Sequence, residues 1–341
     1  MNKSLQLRIC IAVLIVLVPL LFATTLLVGS VDIPFRSVVD ALIGSDSVKP
    51  TWRYIVLESR LPQALTAMLC GASLSVCGLL LQTVFRNPLA DPSILGISGG
   101  AGVGVACVMM LMGGTLSSAL FTFGGIVAVV IAAFVGSMLV TLLLLGLSLF
   151  VRSNSMLLIV GIMIGYLASS LITLSYFVAT EEGVHSYTLW GMGSFAGVQM
   201  SQMPLFATLL IVSLLLTAVF VKPLNALSLG DRYAESLGVN VRRTRSLLLV
   251  IVGLLTSVCT AFCGPIAFIG LAVPHLVRMV LHKSDHRWLL PMTAVMGMVV
   301  TQVCHLCCLL PANGTSLPIN AITTLIGAPV VIYVILKQKF N

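Results

Sequence analysis

Ten times along this chain an apolar run approaches or exceeds the length needed to cross a lipid bilayer, and almost no charge interrupts any of them. Nothing else in the sequence limits the fold so severely. A hydrocarbon core about 30 Å thick takes roughly 20 apolar residues per helix, and inside it every backbone polar group has to be satisfied by the protein itself. The runs lie near 9–29, 61–84, 94–112, 118–150, 156–178, 203–221, 246–263, 266–281, 291–310 and 320–336. Composition agrees: 59% of the 341 residues are hydrophobic and only 8% charged, against roughly 25% charged in a soluble domain. Mean hydropathy is +1.14. The expected fold class is an all-α polytopic membrane protein, with one transmembrane domain over residues 1–341.

Two runs need interpretation. The fourth is over-long and has to tilt, bend or protrude. The stretch 246–281 could be one helix, but Pro265 and Pro274 each remove a helix hydrogen bond and divide it in two. Lys3 and Arg8 ahead of the first run resemble the start of a signal peptide. The run is too long for such a segment and no clear small-residue cleavage site follows it, so it reads as the first span.

Charge then sets direction, because loops on the cytoplasmic side collect lysine and arginine. With ten spans and an inner N-terminus, 14 basic residues fall inside and four (Arg36, Lys49, Arg53 and Arg60) outside. Merging 246–281 into one helix would send Arg278, Lys283 and Arg287 outward and spoil that asymmetry. Both termini are therefore expected in the cytoplasm. The basic residues are scattered through short loops rather than gathered on one face, so nucleic acid is not an expected partner.

The longest inner loop, 222–245, holds seven of the chain's 28 charged side chains. Its order of residues predicts more than a solvated connector. Ser228 to Asp231 fits a capping box, YAESL supplies a short helix, Gly238 suits its C-terminal cap, and Asn240 can cap the helix that follows. A short ordered helix against the inner membrane face implies a partner to press on; the plain alternative is a basic loop that merely sets topology.

Motifs for chemistry are scarce. No GxxxxGK[ST] phosphate loop surrounds any of the six lysines, so any ATP used must be hydrolysed by another chain. An HExxH pair is absent. The spans carry almost no ionisable residue of the kind proton- or sodium-coupled carriers keep near the midplane. The nearest approach to a metal site is Cys304-His305-Leu306-Cys307-Cys308, where thiolate and imidazole could meet; the plain reading is small packing residues with one polar group facing a lumen. All nine cysteines sit inside apolar runs, where a secreted disulfide framework would not place them. They are expected as packing residues, and His275 as a helix-interface histidine near the inner boundary. Glycines at 96/100/104, 161/165 and 193/197 form ridges that allow close helix approach. Three stretches, 86–96, 263–275 and 325–333, read as helix breaks. Irregular backbone at membrane depth is tolerated where it is buried or lines an aqueous path, so the pattern points to a conduit.

These stretches also carry a resemblance. RLPQALTAMLCGASLSVCGLLLQTVFRNPLADPSILGISGGAGVG (60–104), LGDRYAESLGVNVRRTR (229–245), CGPIAFIGLAVPHLVRMVLHKSDHRWLLP (263–291) and LIGAPVVIYVILK (325–337) resemble, in order, the FecCD family of type II ABC importer permeases for iron chelates, haem and cobalamin. The resemblance implies ten helices per subunit, a second copy of the chain, two cytoplasmic ATPases that bind the ATP and magnesium, and a periplasmic substrate-binding protein. No cofactor of the chain's own is implied. Carried over by motif, Asn87 and Leu89 correspond to an inner gate, with Ser153 and Asn154 as its companion. Gly230, Asp231, Ala234, Glu235, Leu237 and Gly238 correspond to the ATPase-coupling helix. Tyr166, Ser169, Ser170 and Thr173 would line the path. Arg60, with Arg53, would dock the binding protein. The chain departs from the family at Gln302, Leu306 and Ser316, near positions where relatives carry Asp, Arg and Glu, and at Gln63, where relatives often carry a second arginine. Two other classes compete: a proton-driven carrier, marked by collapse under an uncoupler at constant ATP, and an intramembrane metalloenzyme using His305, marked by bound metal.

Overall fold

The computed structural model describes residues 3–45, 48–111, 123–148, 150–151, 154–310 and 316–340. The helices are α1 (Lys3–Leu27), α2 (Phe35–Ile43), α3 (Pro50–Phe85), α4 (Ile97–Ala106), α5 (Phe123–Ser148), α6 (Asn154–Tyr176), α7 (Glu181–Gly191), α8 (Met203–Leu229), α9 (Asp231–Ser236), α10 (Val241–Cys263), α11 (Ile269–Leu281), α12 (His286–Cys308) and α13 (Ile319–Phe340). Among the described residues six of these (α3, α5, α6, α8, α10 and α12) are long and apolar enough to cross a membrane. Shorter apolar helices occupy Ile11–Leu27, Ile97–Met110, Ile269–Leu281 and Ile319–Tyr333. Every apolar run read from the sequence overlaps one of these ten; residues 112–122, which include the start of the fourth run, lie outside the described residues.

Helix α3 is the axis of the molecule. Every residue from Cys70 to Phe85 is buried, because α1, α10, α11 and α12 pack around it. Hydrophobic burial does little to hold membrane helices together, since lipid tails are as apolar as leucine; close van der Waals packing of small residues takes its place. The α3–α12 seam shows this directly. A Cβ on Gly71 would stand 2.4 Å from the carbonyl oxygen of Gly297, and one on Gly297 would stand 2.2 Å from that of Gly71. Thr301 adds a hydroxyl that donates 2.8 Å to Ala67 O, and Ser75 one that donates 2.9 Å to Thr293 O. Toward α11, Gly78 meets Gly270 so closely that a Cβ would come within 1.8 Å of the Gly270 carbonyl.

Two of the three glycine ridges pack as their spacing suggests; the third does not form, because Gly193 is left-handed at φ 73° and Gly197 ends a separate short 3-10 turn. Gly100 and Gly104 lie against Gly136 and Ala132 of α5, while Gly96 meets Gly161 and Gly165 of α6. Six of the cysteines are buried as packing residues, and Cys107 is exposed. Cys70 and Cys263 touch Sγ to Sγ at 3.4 Å.

Two of the three expected breaks are present. Residues 86–96 are non-helical, and so are 264–268 between α10 and α11. The second break lies level with Cys70 in the middle of α3, which leaves α11 only 13 residues, about 20 Å long. Its open backbone groups are closed by Asn320, at the start of α13. Asn320 Nδ2 donates to the carbonyls of Gly191 (3.1 Å) and Pro265 (2.6 Å), and its Oδ1 accepts from Ala267 N–H at 3.0 Å. The expected break at 325–333 does not occur: α13 runs through Pro329 without interruption. A single proline removes one donor, which neighbouring turns can absorb in a membrane helix.

Candidate functional site

At the end of the molecule that carries most of the basic residues, α3 stops at Arg86, whose φ of 49° is left-handed. The loop that follows, 86–96, has a defined shape. Asn87 Oδ1 accepts from the backbone N–H of Leu89 at 2.9 Å, a side-chain turn that presents Leu89 at 42% exposure. His275 of α11 donates through Nε2 to the carbonyl of Pro88 at 2.8 Å. A carbonyl oxygen can only accept, so this nitrogen carries the proton. Asp91 is buried and accepts from the amide of Ser93 at 2.9 Å and from its hydroxyl. Burial raises its carboxyl above the ordinary carboxylate range, and the Ser93 bonds oppose that. Asn87 thus shapes the loop, Leu89 is its free apolar tip, and α11 braces it. Ser153 lies outside the described residues, and so does the side chain of Asn154, the first residue of α6.

Below this loop stands α9. Gly230 has φ 125° and ψ 154°, a conformation open only to glycine, and this sharp corner separates the end of α8 from α9. The expected capping box is not formed: Ser228 donates its hydroxyl back to Asn225 O, and Gly230 occupies the N-cap without a side chain. At the other end the expectation holds. Gly238, at φ +82°, donates to Glu235 O and Val239 donates to Ala234 O, the paired bonds of a Schellman cap. Asn240 then caps α10 by accepting from Arg243 N–H at 2.9 Å. Asp231 pairs with Arg245 at 3.1 Å and ties α9 to α10. Ala234 is wholly buried, whereas Leu229, Tyr233 and Leu237 are 66%, 50% and 59% exposed. A small residue seats the helix, Tyr233 projects from it, and the two exposed leucines flank its ends.

Tyr166, Ser169, Ser170 and Thr173 share the exposed face of α6. The hydroxyls of Ser170 and Thr173 donate to the carbonyls of Tyr166 (3.0 Å) and Ser169 (2.9 Å) of their own helix. Both hydroxyls thereby place their protons within the helix.

At the opposite end the expectation for Arg60 changes. Its side chain is only 7% exposed, and its guanidinium donates to the carbonyls of Leu26 (2.9 Å), Leu27 (2.8 Å) and Val31. A helix C-terminus leaves carbonyls without partners, and an arginine folded over them satisfies several at once. Arg60 is thus a brace at the exit of α1 and one wall of a cavity of about 390 Å³, shared with Gln63, Ser194 and His305, not a free rim charge. Arg53 is exposed. His305 stacks edge-on against Phe195, with ring centroids 5.6 Å apart, and Cys304 is fully buried. Among the described residues no three His, Cys, Asp or Glu side chains converge as a metal centre. The departure at Gln302 is also accounted for: it is buried and its Oε1 accepts from Thr25 at 2.9 Å, joining α1 to α12.

The profile of the FecCD transport family matches residues 14–337. The chain belongs to this family. It is 32% identical to the hemin transport system permease protein HmuU of Yersinia pestis, over 99% of this chain and 98% of that one. To the vitamin B12 import system permease protein BtuC of Citrobacter koseri it is 36% identical, over 83% of each. A solved ABC transporter of metal-chelate type, in an inward-facing conformation, superposes with a TM-score of 0.80 and 27% identity, covering 95% of this chain and 97% of that one. PsaBC of Streptococcus pneumoniae, at 18% identity and a TM-score of 0.52, shares the fold over 81% of this chain and 90% of that one.

Proposed function

We propose that the chain is the membrane-spanning permease subunit of a bacterial inner-membrane ABC importer, carrying a metal chelate such as haem, cobalamin or a ferric siderophore toward the cytoplasm. Two copies form the conduit, each crossing the membrane ten times with both termini inside. Separate ATPase subunits bind ATP and magnesium, and a periplasmic binding protein delivers the cargo. The observation that carries this reading is the end-to-end match to FecCD permeases, together with a short helix at the basic end that exposes Tyr233 between exposed Leu229 and Leu237. Gly230 to Gly238 would dock in the ATPase, with Ala234 as the seat and Leu237 on the contact. Asn87 and Leu89, with Ser153 and Asn154, would form the inner gate against their symmetry mates, and the exposed face of α6 that bears Tyr166, Ser169, Ser170 and Thr173 would line the path. Arg53 would meet acidic groups of the binding protein.

Reconstitution tests it. In proteoliposomes containing the chain, its ATPase and its binding protein, one of haem, cobalamin and a ferric siderophore should accumulate in an ATP-dependent manner and stimulate hydrolysis. Accumulation that collapses under an uncoupler at constant ATP would instead mark a proton-driven carrier.

A further inference from the structure

The inner end of the molecule holds a chain of side-chain hydrogen bonds that none of the functions above uses. Asn225 lies in the last turns of α8, one turn before the corner at Gly230. Its Nδ2 donates 2.7 Å to Asp285 Oδ1, and its Oδ1 lies 2.8 Å from both the backbone nitrogen and Nδ1 of His286. Asp285 also caps α12 by accepting from Arg287 N–H at 2.9 Å. On the far side of the ring, His286 Nε2 lies 2.9 Å from the hydroxyl of Thr83, in the final turn of α3. Thr83 and His286 are both buried.

The chemistry of the partners fixes the protons. The carboxylate of Asp285 can only accept, so Asn225 turns its amide nitrogen toward it and its oxygen toward His286. That oxygen receives the backbone N–H and must receive Nδ1–H as well. In the neutral ring Nε2 is then an acceptor, and the Thr83 hydroxyl donates to it in place of its alternative acceptor, Leu79 O at 2.8 Å. Every group in the chain has one role, and the three helices α8, α12 and α3 are registered against one another through a single imidazole.

Resting on the importer reading, the geometry points to Asn225, His286 and Thr83 as positioning residues that carry displacement from the ATPase-docking helix to the gate loop. The route is short. A push on α9 passes through the Gly230 corner into the end of α8, from Asn225 to His286, and from His286 to Thr83, three residues before Arg86 opens the loop that carries Leu89. The carbonyl of Thr83 accepts from Arg86 N–H at 3.3 Å and that of Gln82 from Asn87 N–H at 3.2 Å, so a shift of this last turn moves the loop with it. Hydrogen-bond networks and the rigid helices they join carry coupling between distant elements when they move between two discrete arrangements.

The test uses the whole complex in nanodiscs, with a spin label at position 89 reporting ATP-driven motion of the loop, and unlabelled complex in liposomes for transport. Thr83→Val keeps the shape and removes the hydroxyl; Asn225→Leu removes both ends of the amide; Thr83→Ser restores the donor. Thr83→Val and Asn225→Leu should co-purify with the ATPase and hydrolyse ATP within about twofold of wild type, because neither residue touches the docking surface. The label should lose most of its ATP response, and chelate imported per ATP should fall about fivefold or more. Thr83→Ser should behave like wild type. The double variant should be no worse than either single, as expected for members of one chain. A label response equal to wild type in both single variants overturns the assignment, and so do additive losses in the double. If the wild-type complex hydrolyses ATP and moves the label but imports no haem, cobalamin or ferric siderophore, the importer reading fails while the relay stands.

Discussion

Replacing Asn320 with alanine should destabilise the protein out of proportion to the small volume removed. The side chain makes three hydrogen bonds, two donated to the carbonyls of Gly191 and Pro265 and one accepted from Ala267 N–H. Alanine removes all three and strands backbone groups of the 264–268 break at membrane depth. Two magnitudes bracket the cost. Side-chain hydrogen bonds between membrane helices average about 0.6 kcal/mol each, which sets a floor near 2 kcal/mol for three. Leaving a buried polar group unpaired costs about 1–3 kcal/mol, so two fully stranded groups would reach about 6 kcal/mol. Asn320 is only partly buried, and water can reach some of these groups, which favours about 2–4 kcal/mol. At roughly 2 °C per kcal/mol for a chain of this size, the melting temperature should fall by about 4–8 °C. The assay is thermal unfolding of purified protein in nanodiscs, followed by tryptophan fluorescence at one fixed scan rate because unfolding of such proteins is seldom reversible. Asn320→Asp is the diagnostic companion. It keeps the acceptor for Ala267 but sets a carboxylate against two carbonyls, so it should be no more stable than alanine. An alanine variant melting within about 1 °C of wild type would refute the reasoning, and the break would then be held by packing alone.

Other expectations are simpler. Ala234→Trp should unseat α9, and Gly238→Pro should remove the N–H of its cap; both should insert normally, and uptake should fall at least tenfold while ATPase binding weakens. Cysteine at position 89, in a background without native thiols, should crosslink between two copies when the gate is shut and block transport; products confined to one subunit would count against the gate. Arg53→Glu should slow binding-protein association at low salt, with the difference shrinking as the Debye length falls toward about 8 Å. Arg36→Glu should have little effect, and equal rates for Arg53→Glu and wild type would remove Arg53 from the docking surface. Asp285 is held below the ordinary carboxylate range, first by the Arg287 amide and then by Asn225. Its contribution is therefore present above the ordinary value and lost as pH falls through its own lowered value. Below pH ~4 the loss of stability on acidification should be smaller in Asp285→Asn than in wild type, and parallel acid melts of the two would contradict this.

Much of the architecture could be read from hydropathy because a bilayer imposes one length scale on every spanning element. The glycine ridges at 96/100/104 and 161/165, the Gly238 cap and the Asn240 cap were legible for a similar reason, since each depends on spacing within a few residues. The failures have a common cause as well. Ser228 fits a capping box in sequence, but the Gly230 corner turns the chain away before the helix begins. Pro329 reads as a break, but tertiary packing carries α13 through it. Arg60 reads as a surface charge until the end of α1 is found beneath its guanidinium. Asn320, Asn225 and His286 gave no signal, because their partners are 53 to 203 residues distant in the chain and only the folded molecule brings them together.

The reciprocal contact of Gly71 with Gly297 has a consequence for how such a chain can change over time. Each glycine sits where the other's carbonyl forbids a side chain, with clearances of 2.4 and 2.2 Å to a would-be Cβ, and Gly100 and Gly136 repeat the arrangement at 2.5 and 2.1 Å. A methyl gained on one helix cannot be offset by a methyl lost on the other, because neither has one to lose. The usual route by which cores drift, a larger residue here matched by a smaller one there, is closed at these positions. Diversification has to proceed around them, on the outer faces of α6 and α8 and in the loops, while the axis at α3 stays fixed in shape as cargo and partners vary.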